Sequence, residues 1–169
     1  MDVKGHTELS LFSGLRGFQR AFFVTLNTHR NCALFGSVVD GKMTLNAHGK
    51  IAHEQWIKSA GEHASLQLGD FIVMPNHVHG IIRLKDNAPL PKTDARPVSR
   101  VRSEDREVAR FVEKVVADYK KKVSRGVNAL NGTRSKPVWH RDYWDVSIHD
   151  QRTLTCICHY IRFNPQNYD

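Results

Sequence analysis

Hydrophobic positions along the chain follow two different periods. In residues 20–28, Phe22, Val24 and Leu26 alternate with the residues between them. An alternation of this kind predicts a strand whose two faces meet different surroundings. Residues 103–130 instead repeat apolar side chains every three or four positions, which predicts an amphipathic helix.

The same two patterns recur over most of the chain. They predict strands over residues 20–28, 33–39, 42–45, 66–74, 78–84 and 139–148, and helices over residues 46–61, 103–130 and 151–164. The Asp40-Gly41 pair favours a tight hairpin turn, and Asn46 is suited to cap the first helix. Elements in this order predict an α+β fold, an antiparallel sheet with helices on one face and an open second face.

One domain is expected over residues 1–169. A chain of 169 residues lies within the usual size of a single domain, and 40% hydrophobic residues can supply its core. Residues 86–103 combine prolines with serine and charged residues and contain few apolar side chains. We therefore expect a mobile basic segment there.

Positive charge is concentrated in the second half of the chain. The whole sequence has 25 Lys and Arg residues against 17 Asp and Glu, a net charge of +8. Residues 92–136 alone carry a net charge of +7. This excess favours a polyanionic partner, nucleic acid before a membrane, although a solvated basic helix would explain it without a partner.

Cysteine spacing and the length of apolar runs bear on localisation. Cys32, Cys156 and Cys158 are odd in number and have no CxxC spacing, so neither a disulfide framework nor a zinc ribbon is expected. No apolar run exceeds four residues, and residues 1–20 contain no long apolar region. We expect a cytoplasmic protein with reduced thiols and no membrane association.

The sharpest local signal is the Met-Pro-Asn-His-Val-His run that ends at His79. Side chains two positions apart in a strand share a face, so His77 and His79 point the same way while Val78 and Gly80 point the other way. Two imidazoles in this arrangement can hold one metal ion on the open face of the sheet. A lone histidine would more simply be a polar strand residue, and short motifs carry false positives.

The last predicted helix offers two more groups. Tyr160 and Asn164 lie one turn apart and project together from the edge of the apolar stripe. An amide oxygen beside two imidazoles suits Mg²⁺ or Mn²⁺ better than a closed zinc site. Spacing alone is also consistent with Tyr160 packing on the sheet, and Tyr119, beside a basic run, competes as a nucleophile.

Together these motifs resemble the HUH single-strand endonucleases, specifically the single-tyrosine transposases and the REP-associated tyrosine transposases of bacteria. The resemblance rests on residues 23–26, 74–79, 138–144 and 160–165, and its order and spacing cover most of the chain. It implies a ferredoxin-like fold with the metal site on the open face of the sheet.

The resemblance also implies site residues and an activity. It assigns His77 and His79 as metal ligands, Asn164 as the third ligand and Tyr160 as the nucleophile, with Mg²⁺ or Mn²⁺ as the cofactor. The implied activity is single-stranded DNA cleavage and strand transfer at hairpin-flanked sites through a 5′-phosphotyrosine intermediate. Two departures stand out, because the third ligand is often glutamine in the family and because His140 occupies the glutamine position of an expected Trp-Gln-x-Arg pattern.

Single-stranded or hairpin DNA is the expected partner. The basic segment would bind its phosphates through Lys120, Lys121, Lys122 and Arg125. The resemblance is compatible with a monomer and with a domain-swapped homodimer. Two other functions stay open: an HUH replication initiator or relaxase, and a noncatalytic module that binds single-stranded nucleic acid.

Overall fold

The computed structural model describes residues 20–85 and 103–168. The expected mobile segment 86–103 lies outside the described residues except for its last position. The strands are β1 Ala21–Asn27, β2 Gly36–Val39, β3 Lys42–Leu45, β4 Leu66–Val73, β5 His77–Leu84 and β6 Trp144–Ile148. The helices are α1 Ala47–Ser59, α2 Ser103–Leu130 and α3 Gln151–Phe163, with short 3₁₀ turns at His29–Asn31 and Asn164–Asn167.

Four of the strands form one antiparallel sheet in the order β4-β5-β1-β6. β2 and β3 form a separate hairpin whose turn residues, Asp40 and Gly41, both have positive φ angles, as the sequence predicts. The α+β fold class is confirmed. β1 and β5 are the two central strands, so β5 has a paired strand on each side.

Alternation along β1 separates two cores. Phe22, Val24 and Leu26 are buried in the larger core, together with apolar residues of α1 and α2. Gly80 of β5 faces the same side, where a Cβ atom would come within 2.2 Å of the Trp56 ring of α1. These two helices therefore lie on the face predicted for them.

The third helix lies on the opposite face, which corrects the expectation that all helices share one side. Leu154 and Ile161 of α3 are buried in a smaller core with Ile81 and Ile148 of the sheet. The apolar stripe of α3 needs an apolar partner, and the outward face of the sheet supplies one. Helix α3 consequently covers part of the sheet face that was expected to be open, and His77 and His79 lie beside it.

The strand predicted over residues 139–148 begins only at Trp144. Trp139 makes a single bridge to Thr28 and is buried against Phe35, and its indole N–H donates to the carbonyl of Lys120. The indole is thus held by the larger core and by α2. The N–H of His140 donates to the Asn27 carbonyl at 2.8 Å, and regular pairing with β1 begins at Trp144.

The three cysteines are free thiols. Cys32 and Cys156 are exposed, whereas Cys158 is partly buried on α3. Burial raises the pKa of the Cys158 thiol to about 11. None of the helices in the described ranges is long and apolar enough to cross a membrane.

Candidate active site

The two histidines of the Met-Pro-Asn-His-Val-His run lie side by side at the start of β5. The ring centroids of His77 and His79 are 4.4 Å apart. Val78 between them is fully buried in the larger core, so the histidines share the opposite face. The strand geometry predicted from the sequence is therefore present.

The turn that precedes His77 is fixed by hydrogen bonds from other segments. The backbone N–H of Thr28 donates to the Asn76 carbonyl at 2.9 Å, and the Thr28 hydroxyl lies 3.0 Å from the same oxygen and 2.8 Å from the Cys32 carbonyl. The N–H of Phe35 donates to the Pro75 carbonyl at 2.9 Å. These donors come from the segment after β1. The turn between β4 and β5 is therefore fixed by a segment that belongs to neither strand.

Each imidazole has a polar partner at Nδ1. Nδ1 of His77 lies 2.7 Å from Oδ1 of Asn76, and since a carbonyl oxygen only accepts, this nitrogen carries the hydrogen. Nδ1 of His79 lies 3.0 Å from the hydroxyl of Thr25 on β1. Partners of this kind fix the ring orientation, and with Nδ1 occupied it is Nε2 of each ring that can face a metal ion.

Burial keeps both rings neutral. It lowers the pKa of His77 below its ordinary value of 6.5, against a smaller upward effect of the Asn164 side chain. Burial, and to a smaller degree the neighbouring His77 ring, lower the pKa of His79 to about 3. Neutral imidazole is the form that binds metal ions.

The end of α3 brings Tyr160 and Asn164 to the same place. The Tyr160 hydroxyl lies 3.4 Å from Nε2 of His79, and its ring meets Phe23 of β1 edge-on with centroids 6.1 Å apart. Half of the Tyr160 side chain is exposed, so a substrate can reach its hydroxyl. The next turn places Asn164, which is buried, beside His77.

The position of α3 on the sheet is supported by one ion pair. Arg162 contacts Asp70 of β4 through two of its nitrogens, Nε and Nη2, each 3.0 Å from the same carboxylate oxygen. Arg162 lies two residues after Tyr160. It ties the helix to the edge of the sheet that is nearer the histidines.

These donors fit a divalent cation with mixed nitrogen and oxygen ligands. Nε2 of His77 is buried and makes no well-aligned hydrogen bond to any described residue, although the polar group of Asn164 lies close to the ring. A buried lone pair without a partner is costly unless something binds it. No group of three or more His, Cys, Asp or Glu side chains suited to a metal occurs in the described ranges, so the amide of Asn164 is the third donor at hand.

The four predicted basic residues lie elsewhere. They belong to α2, which packs on the opposite face of the sheet from the histidines. Lys120 donates to the backbone carbonyls of His140, Arg141 and Asp142, and Lys122 pairs with Glu62. Lys121 and Arg125 are exposed.

The competing nucleophile Tyr119 is a core residue. Its side chain is 1% exposed, and its hydroxyl donates to the Ala52 carbonyl at 3.1 Å. Burial raises the pKa of this phenol far above its ordinary value of 10. Tyr119 can therefore neither reach a substrate nor ionise readily.

The sequence patterns do not identify Thr25 and Phe23 as parts of the site, and they indicate Asn76 only as a turn residue. Thr25 and Phe23 lie on the outward face of β1, which the alternation pattern did identify. Their contacts with His79 and Tyr160 depend on the pairing of β1 with β5, and the sequence pattern does not give that register.

Comparisons with known proteins agree with this fold. No known protein-family profile matches the chain. An uncharacterized protein of Haemophilus influenzae is 25% identical over 150 residues, which cover 85% of this chain and 79% of that protein. A solved structure of a REP-associated tyrosine transposase bound to a REP hairpin aligns with a TM-score of 0.52 and 15% identity, over 92% of this chain and 73% of the other. At this identity the likeness shows a shared fold.

Proposed function

We propose that this protein is a metal-dependent enzyme that nicks and joins single-stranded DNA, a transposase of the HUH tyrosine type. The observation that carries the proposal is the approach of the Tyr160 hydroxyl to Nε2 of His79, at 3.4 Å, across 81 positions of sequence. An accessible phenol beside paired imidazoles suits nucleophilic attack on a phosphodiester. The fold shared with a transposase bound to a REP hairpin supports the same class of substrate.

His77, His79 and Asn164 would hold the divalent cation. When bound, Mg²⁺ or Mn²⁺ would polarise a non-bridging phosphate oxygen and help to orient the scissile bond. Asn76 and Thr25 hold the Nδ1 side of the two rings and would keep Nε2 of each ring directed at the cation.

Tyr160 would act as the nucleophile. Its oxygen attacks phosphorus, a new phosphorus–oxygen bond to the phenol forms, and the bond to the 3′ oxygen breaks. The phenol proton passes to solvent, and the leaving 3′ oxygen takes up a proton to become a hydroxyl. The product is a 5′-phosphotyrosine ester, which a second 3′-hydroxyl can attack in the reverse sense, so strand joining needs no external energy source.

Covalent trapping tests the proposal. The full chain is incubated with single-stranded hairpin oligonucleotides and Mn²⁺, and a denaturing gel separates protein from protein–DNA adduct. We expect an adduct with the native chain and none with Tyr160→Phe, because the substitution removes the attacking oxygen. Tyr168→Phe is the matched control, since Tyr168 lies near the site with its ring 6.4 Å from that of His77.

Metal dependence is tested in the same assay. Adduct formation should disappear with EDTA and fall by at least about 100-fold in His77→Ala and His79→Ala, in line with the loss of an activating metal. An adduct that persists in Tyr160→Phe would exclude the assigned nucleophile. DNA binding without any adduct, equal in Tyr160→Phe and the native chain, would instead indicate the noncatalytic binding module.

A further inference from the structure

The edge strand β6 exposes two large apolar side chains. Trp144 is 74% exposed and Val146 is 54% exposed. An indole left in water at the surface of a folded domain forgoes a large amount of favourable burial, so exposed apolar groups that lie together mark binding surfaces. Packing within the described residues therefore does not account for the exposure of Trp144 and Val146.

Strand register places Trp144 in line with the candidate active site. Trp144 pairs with Thr25 of β1, and Thr25 pairs with His79 of β5. Residues paired across neighbouring strands share a face, so the indole and the imidazole lie on the same side of the sheet. At about 4.8 Å between strands, the Cα atoms of Trp144 and His79 are about 10 Å apart.

Helix α3 leaves this part of the face uncovered. Its buried residues Leu154 and Ile161 pack with Ala21, Ile81 and Ile148, and neither Trp144 nor Val146 belongs to that core. No other described aromatic ring stacks on the Trp144 indole. The indole thus presents an open surface on the face of the sheet that carries His79.

We propose that Trp144 is a stacking platform for an unpaired DNA base next to the phosphate bound at His77, His79 and Tyr160, with Val146 extending its apolar surface. This inference rests on the proposed function, because it takes single-stranded DNA as the ligand. Flat aromatic side chains bind any base through its π face, so the platform would position the strand without requiring a particular base.

Charge and area favour a base over a second copy of the chain. A net charge of +8 attracts a polyanion and repels a like-charged protein. Stable protein interfaces bury about 800 Å² on each partner, whereas one tryptophan offers at most about 250 Å². Trp144 and Val146 together are too small for such an interface and match the size of a nucleobase.

Intrinsic fluorescence gives a direct test. Of the three tryptophans, Trp56 and Trp139 are buried, at 2% and 8% exposure, so quenching by a ligand reports mainly on Trp144. The full chain is titrated with an unstructured single-stranded oligonucleotide in EDTA, where no cleavage occurs. We expect quenching by this strand, and much less by the same strand carrying abasic sites or by its duplex.

Variants separate stacking from nonspecific attraction. Trp144→Ala should weaken binding of the single strand by about 5- to 150-fold, the range found for loss of one stacked base. Trp144→Phe should keep most of the affinity and lose the fluorescence signal. Ile57→Ala, an exposed apolar residue of α1 on the opposite layer, should bind as the native chain does.

Several results would overturn the platform. Equal quenching by the abasic strand, or unchanged binding in Trp144→Ala, would show that the bases do not stack there. Self-association of the native chain that is lost in Trp144→Ala would show that a second copy covers the indole. An adduct in the Mn²⁺ assay without quenching in the EDTA titration would refute the platform and leave the proposed function standing. Quenching in EDTA with no adduct in the Mn²⁺ assay would refute the nicking activity and leave the platform standing.

Discussion

At the scale of single residues, the site depends on side chains that fix two imidazoles. The alternation of β5 is sufficient to predict that His77 and His79 share a face, because strand periodicity is a local property. The role of Thr25 could not be predicted, since it lies 54 positions from His79 and meets that ring only through strand pairing. The burial that lowers both histidine pKa values likewise depends on α3, which packs from a distant part of the chain.

Burial of His79 makes stability depend on pH. The folded state takes up a proton on this ring only near pH 3, whereas the unfolded chain does so near pH 6.5. Below pH 6.5 the unfolded state therefore binds more protons, and stability falls as the pH falls. We expect His79 to lower the free energy of unfolding by about 2 kcal/mol between pH 7 and pH 5, measured by urea denaturation in EDTA.

The matched variants are His79→Gln and His149→Gln. The first should reduce the loss of stability between pH 7 and pH 5, because glutamine does not titrate. The second should leave it unchanged, since His149 is exposed. The same pH dependence in His79→Gln and in the native chain would contradict the assignment.

At the scale of elements, the close contact between β5 and α1 sets the position of the histidine strand. The bounds of α2 and the hairpin turn follow from local periodicity and turn chemistry, and the structure confirms both. The face occupied by α3 does not follow from them. Its apolar stripe fits either side of the sheet, and only the complete set of packing partners decides between the two.

Substitution of Gly80 tests this contact. A Cβ atom there would lie 2.2 Å from Cζ2 of Trp56, so Gly80→Ala must displace the indole or the strand. We expect a loss of about 1–3 kcal/mol in the free energy of unfolding, the usual effect of overpacking. Urea denaturation of Gly80→Ala, with Gly61→Ala as the control, measures it, because a Cβ at Gly61 meets its nearest atom at 3.7 Å.

A second variant shows whether the indole causes the strain. In a Trp56→Phe background the smaller ring leaves room, and Gly80→Ala should cost less than it does beside tryptophan. An equal cost in both backgrounds would place the strain elsewhere in β5.

At the scale of the whole molecule, the basic residues of α2 and the candidate active site lie on opposite sides of the sheet. Composition correctly indicates an excess of positive charge, but it cannot show that the basic part of α2 packs across the sheet from the histidines. Lys120 and Lys122 are engaged within the chain, through backbone carbonyls and Glu62. Lys121 and Arg125 are the members of the predicted basic group that stay exposed to contact phosphates.

Salt dependence separates these two classes of basic residue. Affinity for a single-stranded oligonucleotide should fall as salt rises, because bound phosphates release counterions. Lys121→Ala and Arg125→Ala should each lower the slope of log affinity against log salt by about 1 if that side chain contacts a phosphate. An unchanged slope in both variants would show that the DNA does not reach α2.

Lys120→Ala is the contrasting variant in the same titration. Its ammonium already donates to three backbone carbonyls, so its loss should lower the urea midpoint more than it changes the slope. A slope change like that of a phosphate contact, without any loss of stability, would contradict its place in the fold.

The free thiols give the chain two native attachment points for probes. Cys32 lies exposed after β1 and Cys156 lies exposed on α3, whereas partial burial and a raised pKa make Cys158 slow to react. Spin labels on Cys32 and Cys156 would place one probe after β1 and the other on α3, the helix that carries Tyr160, without any engineered residue. The distance distribution between them would report directly whether α3 shifts when an oligonucleotide binds.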